Sequence, residues 1–337
     1  MDKLHLDKAL TPEGWRDNVT VTVGGDGRIA AVAEGPAPAG ATRLSGIALP
    51  GLPNLHSHAF QRGMAGLTEV AGTGEDSFWT WRDWMYRFAL ALDPDDVEAI
   101  AALAYVEMLE AGFTTVGEFH YIHHDRDGRP YADPAELGRR CVAAAEATGL
   151  AITLLPVFYA HSGFGGQAPG EGQRRFICDL DLFGRVAEGG RAATGAYARG
   201  RFGVAPHSMR AVTRDELRRL VDTFADGPMH IHVSEQTKEV DDCLAAHGVR
   251  PIALLADTVP LSERWCLIHA THADAAEQQL MAKAGAVVGL CPVTEANLGD
   301  GLFEGVDFRA QGGRFGVGTD SNVATSATGE LSMLEYA

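Results

Sequence analysis

"GLPNLHSHAF", residues 51–60, closes an apolar run with two histidines two places apart. On a strand, side chains two apart point to the same face, so His56 and His58 share one. Buried strands rarely set two imidazoles side by side unless something is held between them. Working outward from this stretch, the same kind of segment recurs. ALPGLPNLHSH, TTVGEFHY, AITLLPVFYA, RFGVAPHS, MHIHVSE, RWCLIHATH, AVVGLCPVT and RFGVGTDSN read as strands. PDDVEAIAALAYVEMLEAG, DPAELGRRCVAAAEATG, TRDELRRLVDTFADG and ADAAEQQLMAKAG read as helices between them. Thr213 with Glu216 three residues on has the capping-box pattern, and several helices stop at glycine. Eight near-continuous apolar strands with intervening helices predict an α/β fold, a (β/α)8 TIM-type barrel. No glycine-rich phosphate loop follows the first strand, which disfavours a doubly wound open sheet.

The barrel is expected over residues 49–337. Residues 1–48 read as a separate small β-sandwich segment, because NVTVTVGGDGRIAAVAEG alternates around Gly24-Gly25-Asp26-Gly27, a hairpin signal. The aromatic-rich stretch 66–92 reads as a lid or as a helix packed over the barrel mouth. Five cysteines, an odd number without a CxxC pair, read as reduced thiols rather than a disulfide framework. No apolar run reaches membrane-spanning length and MDKLHLDKAL lacks a signal-peptide core, so a cytoplasmic protein is expected. A net charge of −17 argues against nucleic acid or an anionic membrane as partner. An anionic small substrate would need a local cluster of arginines working against that field.

In such a barrel the active site lies at the C-terminal ends of the strands. Polar residues gather there: His56 and His58, then Glu118, His120 and Tyr121, then His207, then His230, His232 and Glu235, then His269 and His272, and finally Asp320. Taken singly, a buried histidine is more often a core residue, and Asp320 could be a turn residue or a helix cap. Convergence of six strand ends on imidazole and carboxylate favours a divalent metal, and zinc and Fe(II) both suit that donor set.

LPGLPNLHSH, HIHVSE, CLIHATH and GVGTDS resemble, in order, the signature strands of the amidohydrolase superfamily. The resemblance implies that His56, His58, His232 and Asp320 bind one divalent metal, zinc or alternatively Fe(II). Binuclear members add a lysine on strand four, but this chain has only Lys3, Lys8, Lys238 and Lys283. The mononuclear deaminase branch is therefore implied, with His269 aiding catalysis. NLHSHAFQRGMAG, GEFHYIHHDRDGRPY, GVAPHSMRAV, HIHVSEQ and GLCPVTEANLGDGLF further resemble the formimidoylglutamate deiminases, a family of histidine degradation. That family continues past residue 337 with the rest of its small β-domain.

The implied reaction is hydrolysis of a linear anionic amidine, N-formimidoyl-L-glutamate, with release of ammonia. Asp320 would take the first proton, Glu235 would shuttle one to the departing nitrogen, and His269 would polarise the reacting centre. Guanidinium is the natural partner of the two carboxylates, which points to Arg210 and Arg82, with Gln61, Tyr121 and His207 adding contacts. The competing readings are an aminohydrolase of a nucleobase or guanidino compound, and a non-catalytic barrel scaffold. Such barrels often form homodimers.

Overall fold

The structure, a computed structural model, describes residues 2–69 and 78–336. Its chain divides into two compact units, Met1–Leu52 and Pro53–Ala337. The first unit carries β1 (Asp2–Thr11), β2 (Gly14–Val23), β3 (Ile29–Glu34) and β4 (Thr42–Ala48), in the order β3-β2-β1-β4. β1 runs antiparallel to β2 and parallel to β4, and the β2–β3 hairpin turns at Gly27, whose φ of 75° needs no Cβ penalty there. The described residues of this unit thus make a single four-stranded sheet, one layer of the kind from which a sandwich is built.

The second unit is the barrel. Its strands are β5 (Leu52–Ser57), β6 (Phe113–His120), β7 (Ala151–Phe158), β8 (Gly200–Phe202), β9 (Ala205–Pro206), β10 (Met229–Val233), β11 (Trp265–His269), β12 (Val287–Leu290) and β13 (Arg314–Val317). They form two arcs, β5-β6-β7-β8 and β10-β11-β12-β13, with β9 paired to β7. Parallel bridges close the ring: Ser57 with Asp320 on one side, Val204 with Met229 and Ser208 with His232 on the other. Strand four is thus split into β8 and β9. At the break, a Cβ on Gly203 would stand 2.5 Å from the Pro228 carbonyl oxygen, so the chain passes there only as glycine.

Alternation along the strands sorts their side chains. Met229, Ile231 and Val233 of β10 join Trp265, Leu267, Val288 and Leu290 in the buried core. Burying each such side chain contributes about 1.5–3 kcal/mol. Strand period two turns His230 and His232 the other way, into the barrel. Helices cover the strands, and several begin at side-chain caps. Asp93 caps Pro94–Glu110, Thr213 caps Arg214–Thr223 and Asp274 caps Ala275–Ala284, each in a reciprocal capping box. The helices Leu180–Ala196, Thr237–His247 and Pro251–Thr258 have no counterpart in the sequence reading. Part of the 66–92 stretch, residues 70–77, lies outside the described residues. The remainder includes the helix Phe78–Ala91, from which Trp81, Arg82, Met85 and Tyr86 line the same pocket as His58 and Asp320. Among the described residues no helix is long and apolar enough to cross a membrane.

Candidate active site

His56, His58, His232 and Asp320 come together, buried, at the ends of β5, β10 and β13. The Nε2 atom of His56 lies 3.2 Å from that of His58, 3.0 Å from that of His232 and 3.2 Å from Asp320 Oδ1. His58 Nε2 is 3.3 Å from the same oxygen. A ring nitrogen donates one hydrogen or accepts along one lone pair, so His56 Nε2 cannot satisfy three such neighbours by hydrogen bonds. One cation among them satisfies all four. With zinc–nitrogen bonds of about 2.0–2.1 Å, tetrahedral donors stand about 3.3 Å apart, which is the spacing found. The residues present therefore fit the implied metal.

The electrostatics agree. Burial pushes the His56 imidazole down to about 3 and lowers His58 and His232 as well, so all three are neutral, the form in which imidazole can bind a metal. His58 Nδ1 donates to the Phe119 carbonyl at 2.9 Å, which leaves its Nε2 lone pair facing the cluster. Burial alone would raise Asp320, but the His56 hydrogen bond and the surrounding imidazoles overturn that and hold its carboxyl well below the usual range.

Backbone and amide groups fix these ligands. His58 N–H donates to the Asp320 carbonyl and Asp320 N–H to that of His56, both at 2.9 Å. Asn322 Nδ2 donates to Ser57 Oγ, to the His58 carbonyl and to the Asp320 carbonyl. Gly318 lets the two strands touch, since a Cβ there would stand 2.8 Å from His56 N.

Glu235 and His269 sit beside this cluster, with Glu235 Oε1 3.9 Å from His269 Nε2. β10 ends at Val233 and Ser234 takes a left-handed φ of 52°, which turns the chain at the strand end. Burial pushes the Glu235 carboxyl up, against the pull of His269. Burial pulls His269 down, but the charge of Glu235 and a hydrogen bond to Glu295 outweigh it and raise the ring to about 10.

The pocket also takes in Gln61, Arg82, Tyr121, His207 and Arg210. Gln61 Nε2 donates to the Tyr121 hydroxyl at 2.7 Å, and His207 Nδ1 lies 3.1 Å from Ser208 Oγ. Burial, then the neighbouring Arg210, hold His207 neutral. Burial opposes the charge on Arg210, and Glu239, Tyr159 and Glu235 restore it. Four other strand-end candidates lie outside this group. Glu118 accepts Ala59 N–H at 2.8 Å, His120 lies 3.5 Å from Cys141 Sγ, His230 abuts Gly117, and His272 donates to the Asp300 carbonyl at 2.8 Å. These brace the framework. Trp81 and Tyr86 come from the aromatic stretch expected over the barrel mouth, whereas Tyr159 and Phe176, which complete the wall, and Glu295 on His269 Nδ1 have no counterpart in the sequence reading. The only trace of Glu295 in the sequence is its place in CPVTEANL, right after the seventh strand.

Residues 47–337 match the amidohydrolase family and residues 1–46 match the formimidoylglutamate deiminase HutF N-terminal domain. The chain belongs to the amidohydrolase family. It is 53% identical over all 337 residues to a formimidoylglutamate deiminase of Pseudomonas aeruginosa, covering 100% of this chain and 74% of that relative. The crystal structure of an amidohydrolase from Brucella melitensis superposes with a TM-score of 0.97 at 53% identity, over 100% of this chain and 75% of that one. A triazine hydrolase variant, at 19% identity and a TM-score of 0.83 over 100% of this chain and 75% of its own, shares the fold.

Proposed function

We propose that this chain hydrolyses N-formimidoyl-L-glutamate to N-formyl-L-glutamate and ammonia, a reaction of histidine degradation. The observation that carries this reading is a single pocket joining the His-His-His-Asp cluster to Arg82 and Arg210, in a chain of net charge −17. Two guanidinium groups in that field suit a substrate with two carboxylates. The kinship to a formimidoylglutamate deiminase over the whole chain supports it.

His56, His58, His232 and Asp320 would hold one divalent ion, for which we propose zinc; when bound, it supplies Lewis acidity and lowers the pKa of water. Water adds to the amidine carbon, the C–N bond to the terminal nitrogen breaks, and its electron pair leaves with that nitrogen as ammonia. Asp320 takes a proton from the attacking water and gives it up again, so that both hydrogens of that water end on the terminal nitrogen. Glu235 carries a proton to the departing nitrogen, a role suited to a carboxyl whose burial favours the protonated form. His269, with Nε2 beside Glu235 Oε1, orients the reacting centre. Arg210 and Arg82 bind the carboxylates, while Gln61, Tyr121 and His207 fix the substrate's direction. The helix Phe78–Ala91 excludes water with Trp81 and Met85. We place the reaction in the cytoplasm, where five free, buried cysteines stay reduced.

One observation favours a second reading: the rings of Trp81, Tyr86, Tyr159 and Phe176 would also stack against a flat nucleobase. A substrate panel decides between them. Formimidoylglutamate should give ammonia and formylglutamate in equal amounts, whereas adenosine and guanine should release none. Deamination of a nucleobase with formimidoylglutamate left intact would overturn the assignment.

A further inference from the structure

His269 is held from behind. Its Nδ1 lies 3.1 Å from Glu295 Oε1, and that oxygen also accepts the Cys291 backbone N–H at 2.8 Å. All three residues are buried. An oxygen that already accepts a backbone N–H acts as an acceptor, so the hydrogen between it and the ring belongs to Nδ1. Nε2 is then the atom left to face Glu235 and the pocket. The same three residues have the spacing of a candidate metal group. Hydrogen bonding explains it better, because Oε1 is occupied by Cys291 N–H and burial keeps the Cys291 thiol protonated.

The backbone shows why such a brace is needed. His269 and Ala270 are consecutive non-glycine residues in the left-handed region, with φ of 67° and 50°. This is a costly turn at the end of β11, and it persists only where surrounding contacts fix it. Glu295 comes from a different element, the helix Pro292–Leu298, so it clamps the ring from across the strand end.

We propose that Glu295 is a positioning residue for this reaction: it accepts the hydrogen on His269 Nδ1, fixes the ring's orientation and thereby aims Nε2 at the reacting centre. The inference rests on the catalytic part assigned to His269. A merely structural Glu295 would cap the helix Pro292–Leu298 through Cys291 N–H and do nothing more.

The test uses zinc-loaded enzyme labelled with 15N-histidine, the Glu295→Met and Glu295→Gln variants, and His269→Asn to identify the resonance. In the unaltered enzyme His269 should give a hydrogen-bonded Nδ1–H signal. Glu295→Met should lose that signal and lower kcat about 10- to 100-fold, with KM and metal content held. Glu295→Gln keeps an acceptor oxygen, so it should restore the signal and most of kcat. If Glu295→Met does not fold, Glu295→Asp, one methylene short of the ring, should show the same loss. Persistence of the Nδ1–H signal in the Met or Asp variant would overturn the proposal, as would KM and metal content failing together with kcat. The resonance is read without turnover. A failed substrate assignment, seen as no ammonia from formimidoylglutamate in the unaltered enzyme, is therefore a separate result.

Discussion

At the floor of the pocket, His56, His58, His232 and Asp320 are fixed by strand pairing, by Asn322 and by a glycine that lets two strands touch. At the rim, Arg82 comes from the helix Phe78–Ala91, Tyr121 follows β6 and Arg210 follows β9. The floor is set by the closure of the barrel itself. The rim is assembled from segments that the barrel does not dictate, and Arg210 Nε has no hydrogen-bond partner among the described residues. On the function proposed above, the difference separates two tasks: the floor would determine which bond is broken, and the rim which molecule is brought to it.

Glu235 stands between the two, and replacing it has a large expected effect. Glu235→Gln keeps the shape of the side chain and removes its titrating proton. It should bind metal normally and lower kcat about 10²-fold or more, measured as ammonia release under saturating substrate. A near-normal rate would move the proton shuttle to another group and detach Glu235 from the floor.

At the rim the expected effect is selective for the charged substrate. Losing one partner of a desolvated charge pair costs about 2–5 kcal/mol. Arg210→Met should therefore lower kcat/KM for formimidoylglutamate by well over about tenfold. Metal content should stay unchanged, and turnover of an uncharged formamidine should hardly move. Equal losses on both substrates would mean that Arg210 braces the floor, and the contrast between the two regions would collapse.

The same division explains what could be read from the sequence. The floor was legible because β-strand alternation fixes the direction of neighbouring side chains: HSH and HIH each announce a shared face. The barrel was legible for a related reason, since strands buried on both faces write near-continuous apolar runs. Much less could be read of the rim. Tyr86, Tyr159 and Phe176 lie far apart in sequence, and an aromatic residue on a helix or loop has the same pattern whether it lines a pocket or fills a core. Glu295 was hidden because AVVGLCPVT reads as one strand through Thr294, whereas the strand ends at Leu290 and a short helix carrying Glu295 begins at Pro292. In the first unit, alternation revealed a hairpin but could not say whether four strands form one layer or two, because period two describes a face and not what covers it.

The central claim is that one divalent ion, seated in the His-His-His-Asp cluster, makes this chain a hydrolase. The most direct measurement strips the enzyme with a chelator and returns zinc in small steps, following ammonia release from formimidoylglutamate. Activity should rise linearly and stop at one equivalent per chain. A break at two equivalents, or full activity in the stripped enzyme, would contradict the claim.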